Sequence, residues 1–389
     1  MLLFDATHTS HTRAQTGIQR VTRSLFRELT AGRTATAVCY DPYLRSWRPL
    51  GKTELDNLQP GRIAAGSRGA KWPIHQRVTG HARRLLGLAG PLPEADGLVC
   101  PELFSPRIGA RLPEIFAAVR GPRIAIFHDA IGLKLPELTP PGTVARLPAY
   151  LRELLQFDGV AADSEDSALC LRDFWQWLGI RDVPPVQAIP LGLDPRPPPP
   201  PDDAPRARPV VLCVGTIEGR KNHLALLEAC EALWREGLSF ELRLLGMARS
   251  DTAGRALARI GELQNNRRPL VHRGAASDAE LHAAYRECSF TVYPSLIEGF
   301  GLPVLESLQH GKPCVCSARG ALGESARGGG CVALDAVDAT ALANAIRRLL
   351  QNPDDLAALS AAARARPIKP WAAYVHDLSA WMQTLARRA

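Results

Sequence analysis

Apolar and polar residues alternate in blocks along the chain, and each block has the length and period of one structural element. The first apolar run covers residues 2–6, and after a polar loop Ile18, Val21, Leu25 and Leu29 recur at helical spacing. A short apolar run favours a buried strand, whereas a recurrence every three to four residues favours a helix that faces a core. Strands that alternate with helices in this way are typical of a parallel α/β sheet.

Two sets of alternating elements are predicted. In the first set the further strands are 35–40, 97–100, 123–127 and 159–162, with a helix at 150–157. In the second set the strands are 210–215, 241–245, 270–272, 290–293 and 313–316, and the helices are 224–236, 253–264, 278–287 and 339–351. The last segment is amphipathic, with Tyr374, Leu378, Trp381, Met382 and Leu385 on one stripe.

A proline-rich stretch at residues 194–209 separates the two sets and can form neither a helix nor a central strand. We place the interdomain connection just before it, near 184–193, and expect a hinge for domain closure near 184–201. A chain of 389 residues suits two domains. The expected organisation is an N-terminal domain 1–188, a C-terminal domain 189–369 and a final helix 370–389 that returns to the first domain.

Composition excludes several classes of protein. Hydrophobic residues make up 46% and charged residues 22%, which are globular values. The sequence has no apolar run long enough to span a bilayer, and Asp5 interrupts any signal-peptide core. The nine cysteines have no metal-binding spacing, which favours reduced thiols in a cytoplasm.

The net charge of +8 is unevenly distributed, because no acid occurs between Asp56 and Glu94. This basic stretch contains Arg62, Arg68, Lys71, His75, Arg77, His81, Arg83 and Arg84. Residues 72–88 fit a basic amphipathic helix that lies on anionic lipid headgroups, or a solvated basic loop over an acceptor site. Nucleic acid is disfavoured, since no known nucleic-acid motif and few aromatic residues accompany the charge.

The most informative segment is 293–306, which follows a predicted strand. It places Glu298 on a glycine-rich loop and Glu306 eight residues later on the next helix, with Gly301 and Leu302 between them. Pro303 suits the first helical position, and Gly311 suits the stop.

This segment indicates a ligand with two kinds of polar group. Backbone N–H groups of Phe300, Gly301 and Leu302 at a helix start bind phosphate well. The two carboxylates repel phosphate but accept hydrogen bonds from hydroxyls. A ligand with a central diphosphate and hydroxyl-rich rings at both ends is a sugar nucleotide.

Two further segments begin helices with residues suited to anions. Gly215 and Thr216 follow a buried strand and precede Arg220 and Lys221, which can neutralise a diphosphate and stabilise a departing nucleotide. Gly17 opens the first helix, where backbone can approach an anion closely. The nearby Arg13 and Arg20 fit phosphate or acceptor contact and solvent exposure equally well.

Polar residues also follow two strands of the first set. His128 ends the strand at 123–127, at an edge where α/β proteins bind ligands. Ser164 follows the strand at 159–162 and is suited to cap a helix or to contact ligand, with capping favoured.

These segments together resemble retaining GT-B glycosyltransferases of family 4. Residues 298–306 resemble its E-x7-E element, residues 215–222 its G-T-x-E-x-R-K-N variant, and 16–20 its T-G-I-x-R element. The resemblance implies a GT-B fold, α/β with two Rossmann-like domains that face a cleft. It also implies that Glu298 holds the transferred sugar, that Glu306 holds the ribose, and that Arg220 and Lys221 bind the donor phosphates.

The same resemblance implies a role for His128, which would hydrogen-bond the donor sugar. It implies no metal, and Asp202 and Asp203 lie in the proline-rich stretch rather than in an Asp-x-Asp site. Many relatives carry arginine directly after Gly215, where this chain has Thr216, and we expect Arg220 to compensate.

The predicted activity is retaining transfer of a hexosyl group from a nucleotide diphosphate sugar to a glycan or lipid-linked acceptor. GDP-mannose is the first candidate donor and UDP-sugars remain open; no separate cofactor is expected. The predicted place is the cytoplasm, at the inner face of the cell membrane. A sugar-nucleotide epimerase and a silent sugar-nucleotide-binding protein are the alternatives, and a nicotinamide dehydrogenase lacks its G-x-G-x-x-G.

Overall fold

The structure is a computed structural model that describes residues 1–14, 16–32, 34–59, 69–195 and 208–388. Two predictions fall partly outside these ranges. The proline-rich stretch beyond Pro195, with Asp202 and Asp203, is one of them. The beginning of the basic stretch, with Arg62 and Arg68, is the other.

The chain divides into two compact units. Unit 1 comprises Met1–Asp129, Ala145–Asp194 and Lys369–Ala389, and unit 2 comprises Ala130–Val144 and Pro195–Ile368. The end of the first unit therefore lies a few residues beyond the expected position 188. The segment Ala130–Val144 groups with unit 2, although it lies between two parts of unit 1 in the sequence. Hydrophobic periodicity cannot show which unit such a segment joins.

Unit 1 is built on a sheet with the strand order β3-β2-β1-β4-β5-β6-β7. The strands are β1 Leu2–Asp5, β2 Ala35–Asp41, β3 Ser46–Pro49, β4 Gly97–Cys100, β5 Arg123–Phe127, β6 Gly159–Ala162 and β7 Val186–Ala188. The pairs are parallel except β2 with β3, which run antiparallel at the edge of the sheet. β1, β4, β5 and β6 are apolar and almost entirely buried, as the apolar runs predicted.

The first helices lie between these strands along the chain. They are α1 Gly17–Ala31, α2 Lys52–Asp56, α3 Ile74–Leu85, α4 Pro106–Gly109, α5 Leu112–Phe116, α6 Ile131–Lys134, α7 Pro141–Glu153 and α8 Glu165–Trp177. Helix α7 begins earlier than the predicted helix 150–157 and continues through Pro148. Ser164 caps α8 by accepting a hydrogen bond from Ser167 N at 3.1 Å, which confirms the favoured interpretation.

Unit 2 is built on a parallel sheet with the strand order β10-β9-β8-β11-β12-β13. The strands are β8 Val210–Val214, β9 Glu241–Leu245, β10 Leu270–Arg273, β11 Phe290–Tyr293, β12 Cys314–Ser317 and β13 Cys331–Leu334. The helices are α9 His223–Arg235, α10 Ser250–Asn265, α11 Asp278–Glu287, α12 Leu302–Gln309, α13 Gly320–Ala326, α14 Ala339–Gln351 and α15 Pro353–Ala365. Its core packs the sheet against α9 and α14 around fully buried Leu226, Leu233 and Leu342.

The chain returns to unit 1 at Lys369 and ends in α16 Trp371–Gln383, which packs against α1. Its buried side chains include Tyr374, Leu378 and Met382 of the predicted stripe. Within the described residues, no helix combines the length and the hydropathy needed to cross a membrane.

Candidate functional site

Two loops of unit 2 meet because their strands are neighbours in the sheet. β8 pairs with β9 on one side and with β11 on the other. The strand order therefore reverses at β8, which makes this position a topological switch point. Ligands of open α/β sheets bind beside the carboxyl ends of strands at such a point. The loop after β8 contains Gly215 to Lys221, and the loop after β11 contains Glu298. The N–H of Leu296 donates to the carbonyl of Arg220 at 2.9 Å and joins the two loops.

Four charged side chains form an ion cluster where the two loops meet. Arg220 Nη1 donates to Glu298 Oε2 at 2.7 Å, and Lys221 Nζ lies 2.5 Å from Glu298 Oε1. On its other side, Arg220 Nη2 lies 2.7 Å from Glu218 Oε1. Two carboxylates thus offset two cations, and the ion cluster has no formal net charge. In this structure Glu298 therefore pairs with Arg220 and Lys221, the two cations that were predicted to bind the donor phosphates.

Burial and pairing act against each other on these charges. Burial alone would raise the pKa of Glu298, but Arg220 and Lys221 lower it to about 2. Burial lowers the pKa of Lys221 more strongly than Glu298 raises it. For Arg220 burial is also the largest single effect, but Glu298 and Glu218 together raise its pKa. Glu298 is accordingly ionised at every pH at which the protein would be assayed.

Tyr293 and Glu218 belong to this site although sequence analysis gave neither a role. Tyr293 is the last residue of β11 and is buried, and its hydroxyl accepts a hydrogen bond from Lys221 Nζ. Its ring centroid lies 4.6 Å from the same Nζ, a cation–π distance. Only their positions in the sequence could have indicated these two residues. Tyr293 ends a predicted strand, and Glu218 lies two residues before Arg220 in the G-T-x-E-x-R-K-N segment.

The start of α12 has the geometry that the glycines predicted. Gly301 caps the helix with φ of 108°, a left-handed conformation that other residues rarely adopt. A Cβ at this position would also lie 3.1 Å from Leu322 Cδ2. The carbonyl of Phe300 accepts a hydrogen bond from Ser325 Oγ at 2.7 Å, which anchors the loop. The helix begins at Leu302, so Pro303 is its second residue rather than its first, a correction that leaves the N-terminal amides in place.

Glu306 lies on α12 and is only 2% exposed. Its Oε2 accepts a hydrogen bond from the hydroxyl of Tyr285 at 3.2 Å. Tyr285 in turn stacks on His310, with ring centroids 4.9 Å apart, so this carboxylate is held by a packed aromatic pair. Gly311 follows with φ of 67° and ends the helix, as predicted.

Gly215 lies against the loop after β9. A Cβ on Gly246 would come within 2.0 Å of the Gly215 carbonyl oxygen, so only glycine fits at 246. The two loops are further joined by Ile217 N, which donates to Met247 O at 2.8 Å. Gly215 and Thr216 thereby lie beside residues 246–249 of the loop after β9.

Gly17 and His128 belong to unit 1. Gly17 is the first residue of α1 and exposed, and a Cβ there would meet no described atom within 4 Å. Packing within the described chain therefore does not require glycine at this position, and its phosphate role stays a prediction. Arg13 is exposed and Arg20 is partly exposed at the same end of the helix.

The sugar contact of His128 stays a prediction, and both of its ring nitrogens have partners within unit 1. Its Nδ1 lies 2.7 Å from Asp163 Oδ2, and its Nε2 lies 2.7 Å from the carbonyl oxygen of Pro101. Since a carboxylate and a carbonyl both accept, both ring nitrogens donate and the ring is an imidazolium. The charged ring joins the ends of β4, β5 and β6. A direct sugar contact would require one of these hydrogen bonds to break, so the geometry favours a positioning role.

We expect this imidazolium to make the stability of unit 1 depend on pH. Burial lowers the pKa of His128, but Asp163 and the Pro101 carbonyl outweigh it and raise the pKa from 6.5 to about 9. A raised folded-state pKa stabilises the fold below about pH 6.5, and this contribution disappears as pH rises through 9. The loss between pH 6 and pH 10 is on the order of 3 kcal/mol.

Urea unfolding of the wild type and of His128→Gln checks this expectation, because glutamine cannot take up the charge. Tryptophan fluorescence reports mainly on unit 1, to which every tryptophan except Trp234 belongs. The difference in the free energy of unfolding should be large at pH 6 and small at pH 10. His376→Gln, at an exposed position of α16, is the matched control. A difference that does not change with pH would contradict a charged His128.

The chain is similar to a known protein family over part of its length. Its residues 200–366 match the family described as glycosyl transferases group 1. Unit 2 carries a glycosyl transferases group 1 domain. In this domain lie Glu298, Glu306, Arg220 and Lys221, so the ion cluster and the start of α12 both belong to the matched segment.

Curated relatives include mannosyltransferases. The chain is 28% identical to the serotype-specific mannosyltransferase WbdA of Escherichia coli, over 81% of this chain and 38% of that protein. It is 34% identical to O-antigen chain mannosyltransferase B of Escherichia coli, over 36% of each. The chain thus spans well under half the length of these curated relatives.

Solved structures show the fold. HepE from Anabaena, in complex with UDP-glucose, matches with a TM-score of 0.69 at 17% identity, over 99% of both chains. Sucrose-phosphate synthase from Thermosynechococcus elongatus matches with a TM-score of 0.65 at 18% identity, over 98% of both chains. The fold is GT-B, which confirms the predicted fold class.

Proposed function

We propose that this chain is a retaining glycosyltransferase of family 4 that moves a hexosyl group from a nucleotide diphosphate sugar to an acceptor hydroxyl. The observation that supports it most directly is the ion cluster of Glu218, Arg220, Lys221 and Glu298 beside the start of α12. The match of residues 200–366 to glycosyl transferases group 1 agrees with this chemistry.

Donor binding would proceed by an exchange of anions. Because the ion cluster is formally neutral, a diphosphate competes with the Glu298 carboxylate for Arg220 and Lys221. When the diphosphate takes these cations, Glu298 Oε1 and Oε2 become acceptors for the hydroxyls of the donor sugar. The binding energy of the diphosphate thus prepares the group that orients the sugar.

Transfer would rely on positioning and electrostatic stabilisation. As the bond between the anomeric carbon and the phosphate oxygen breaks, charge develops on the leaving diphosphate, where Arg220, Lys221 and the N-terminal amides of α12 stabilise it. These groups supply the positive charge that a metal supplies elsewhere, so activity should persist in a chelator. The acceptor hydroxyl oxygen would bond to the anomeric carbon on the face that the diphosphate leaves, which gives retention, and the leaving phosphate oxygen would accept the hydroxyl proton.

Glu306→Ala should weaken nucleotide binding about tenfold or more, because a ribose hydroxyl would lose a charged acceptor. Calorimetry with the nucleoside diphosphate measures the change, and Glu262→Ala, at a 61% exposed side chain, is the control. An unchanged dissociation constant would remove Glu306 from the donor site.

For the donor we propose GDP-mannose first, because the matched relatives are mannosyltransferases. UDP-sugars remain candidate donors, because the similar structure of HepE is a complex with UDP-glucose. The proposed acceptor is a lipid-linked or polysaccharide glycan of the cell surface, glycosylated at the inner face of the membrane.

A panel of nucleotide sugars, tested by calorimetry and then for transfer to mannose-terminated glycans, identifies the donor. Nuclear magnetic resonance of the product gives the anomeric configuration. Release of an epimerised nucleotide sugar without acceptor, or binding without any turnover, would overturn the transferase proposal in favour of an epimerase or a silent binding protein.

A further inference from the structure

Helix α3 packs on unit 1 through its polar side. Gly80 is buried, and a Cβ there would lie 2.8 Å from Tyr43 Cβ and 3.2 Å from Asp41 Oδ1. One turn earlier, Gln76 Nε2 donates to Glu54 Oε1 at 3.1 Å. The side of α3 that faces the protein thus carries a glycine and an amide, where a surface helix of a globular protein usually carries its apolar residues.

The apolar side of α3 faces solvent instead. Ile74, Val78 and Leu85 are 77%, 62% and 87% exposed. At about 100° per residue they fall within roughly 40° of one another on the helix, opposite Gly80. Leu86 and Leu88 follow the helix in sequence and are 70% and 54% exposed. These five residues are called the outer face below, and contiguous apolar exposure of this kind marks an interaction surface.

Two arginines and two histidines border the outer face. Arg77, His81 and Arg84 are exposed and follow its edge along one side of the helix, and His75 lies on the other side. Neither the helix nor its neighbours in sequence offset this charge, since no acid occurs between Asp56 and Glu94. A narrow apolar stripe with arginines along one edge complements a surface that is apolar below and anionic above.

We propose that the outer face of α3 inserts into the interfacial layer of a bilayer that contains anionic lipids. The apolar side chains enter the acyl boundary, while Arg77 and Arg84 extend to the phosphate groups, as long basic side chains do at interfaces. Charge complementarity decides for this occupant over a second copy of the chain, because a second outer face would bring like charges together. The inference goes beyond the proposed sugar transfer and does not depend on it.

Vesicle co-sedimentation without any sugar nucleotide tests the proposal. The wild type should bind vesicles of phosphatidylcholine mixed with phosphatidylglycerol and should bind pure phosphatidylcholine at least tenfold more weakly. Binding to the mixed vesicles should fall in about 0.5 M salt, where exposed charges are screened. Equal binding to both vesicles, or none to either, would overturn the proposal.

Two variants separate the apolar from the charged contribution. Val78→Ser with Leu85→Ser should lower binding to mixed vesicles more than tenfold, because both side chains leave the acyl boundary. Arg77→Gln with Arg84→Gln should lower it by a similar factor and reduce its salt dependence, since each basic residue near an anionic surface contributes about fivefold. All four side chains are exposed, so circular dichroism should stay unchanged.

Leu169→Ser on α8 is the matched control. Leu169 is a 52% exposed leucine of the same unit, but Glu165, Asp166 and Asp173 surround it in sequence. This variant should bind vesicles like the wild type. If the outer-face variants instead abolish a concentration-dependent dimer and leave vesicle binding unchanged, the occupant is a second copy and the lipid proposal fails.

Discussion

Glu298→Gln should bind the nucleoside diphosphate about tenfold more tightly than the wild type and transfer sugar about 100-fold more slowly. The substitution keeps the shape of the side chain and removes its charge. Arg220 and Lys221, which now pair with Glu298 at 2.7 Å and 2.5 Å, then meet the diphosphate without a competing anion. One released charge pair of this kind is worth about one order of magnitude in affinity.

The slower transfer has a separate cause. After the exchange of anions, the Glu298 carboxylate would accept hydrogen bonds from the donor sugar, and hydrogen bonds to a charged group contribute about 1.5–3 kcal/mol. Glutamine offers one neutral acceptor and a donor in its place. The expected signature is therefore a lower dissociation constant for the nucleotide together with a lower kcat, a combination that unfolding cannot produce.

Calorimetry with the nucleoside diphosphate and steady-state transfer rates measure the two effects. Glu287→Gln is the matched control, because Glu287 is also paired with an arginine of unit 2, at 2.6 Å from Arg243 Nη1, but is 51% exposed. It should change neither quantity. Weaker nucleotide binding by Glu298→Gln, or transfer at the wild-type rate, would contradict the exchange of anions.

Most strands of this fold could be predicted because they are buried apolar runs, such as Val210–Val214 and Phe290–Tyr293. Three strands of the described structure were missed. Cys331–Leu334 is apolar but is an edge strand without a buried position, and the other two lack an apolar run. Ser46–Pro49 is a four-residue edge strand with alternating polar residues and a terminal proline, and Val186–Ala188 has three residues and no buried position. Edge strands bury few side chains, so their sequences need not contain a run of apolar residues.

Two helices show where local pattern fails. Helix α7 contains Pro148 in its interior. Because proline normally marks a helix boundary, the predicted helix began after it. Helix α15 buries only Ala363, and a helix without an apolar stripe has no period to detect.

The site residues could be predicted in part because glycines and helix starts mark the carboxyl ends of strands. That Glu298 and Arg220 would share a loop junction follows from strand order. Their direct pairing does not, since the two residues are 78 positions apart and nothing in the spacing gives the direction of a side chain. His128 shows the same limit: its position was predicted, but its two acceptors, Asp163 and Pro101 O, come from neighbouring strands.

Arg220→Gln should reduce transfer by about 10²–10³-fold, the loss that follows removal of one preorganised donor to a charged transition state. Nucleotide affinity should fall as well, in contrast to Glu298→Gln. The variant should also unfold more easily, by on the order of 3 kcal/mol, because Glu298 and Glu218 lose a buried partner. Arg235→Gln, at a 70% exposed arginine paired with Glu231, should leave all three quantities unchanged.

The double variant Arg220→Gln, Glu298→Gln separates folding from chemistry. With the charge of Glu298 removed, the unpaired buried anion disappears and part of the lost stability should return, whereas transfer should stay low because the diphosphate still lacks Arg220. The single variant should in addition show an acidic limb in kcat/KM that the wild type lacks. Arg220 is the strongest of the charges that hold the pKa of Glu298 near 2, and without it that pKa rises. If Arg220→Gln transfers sugar at the wild-type rate, or if the double variant regains transfer together with stability, the ion cluster serves the fold alone.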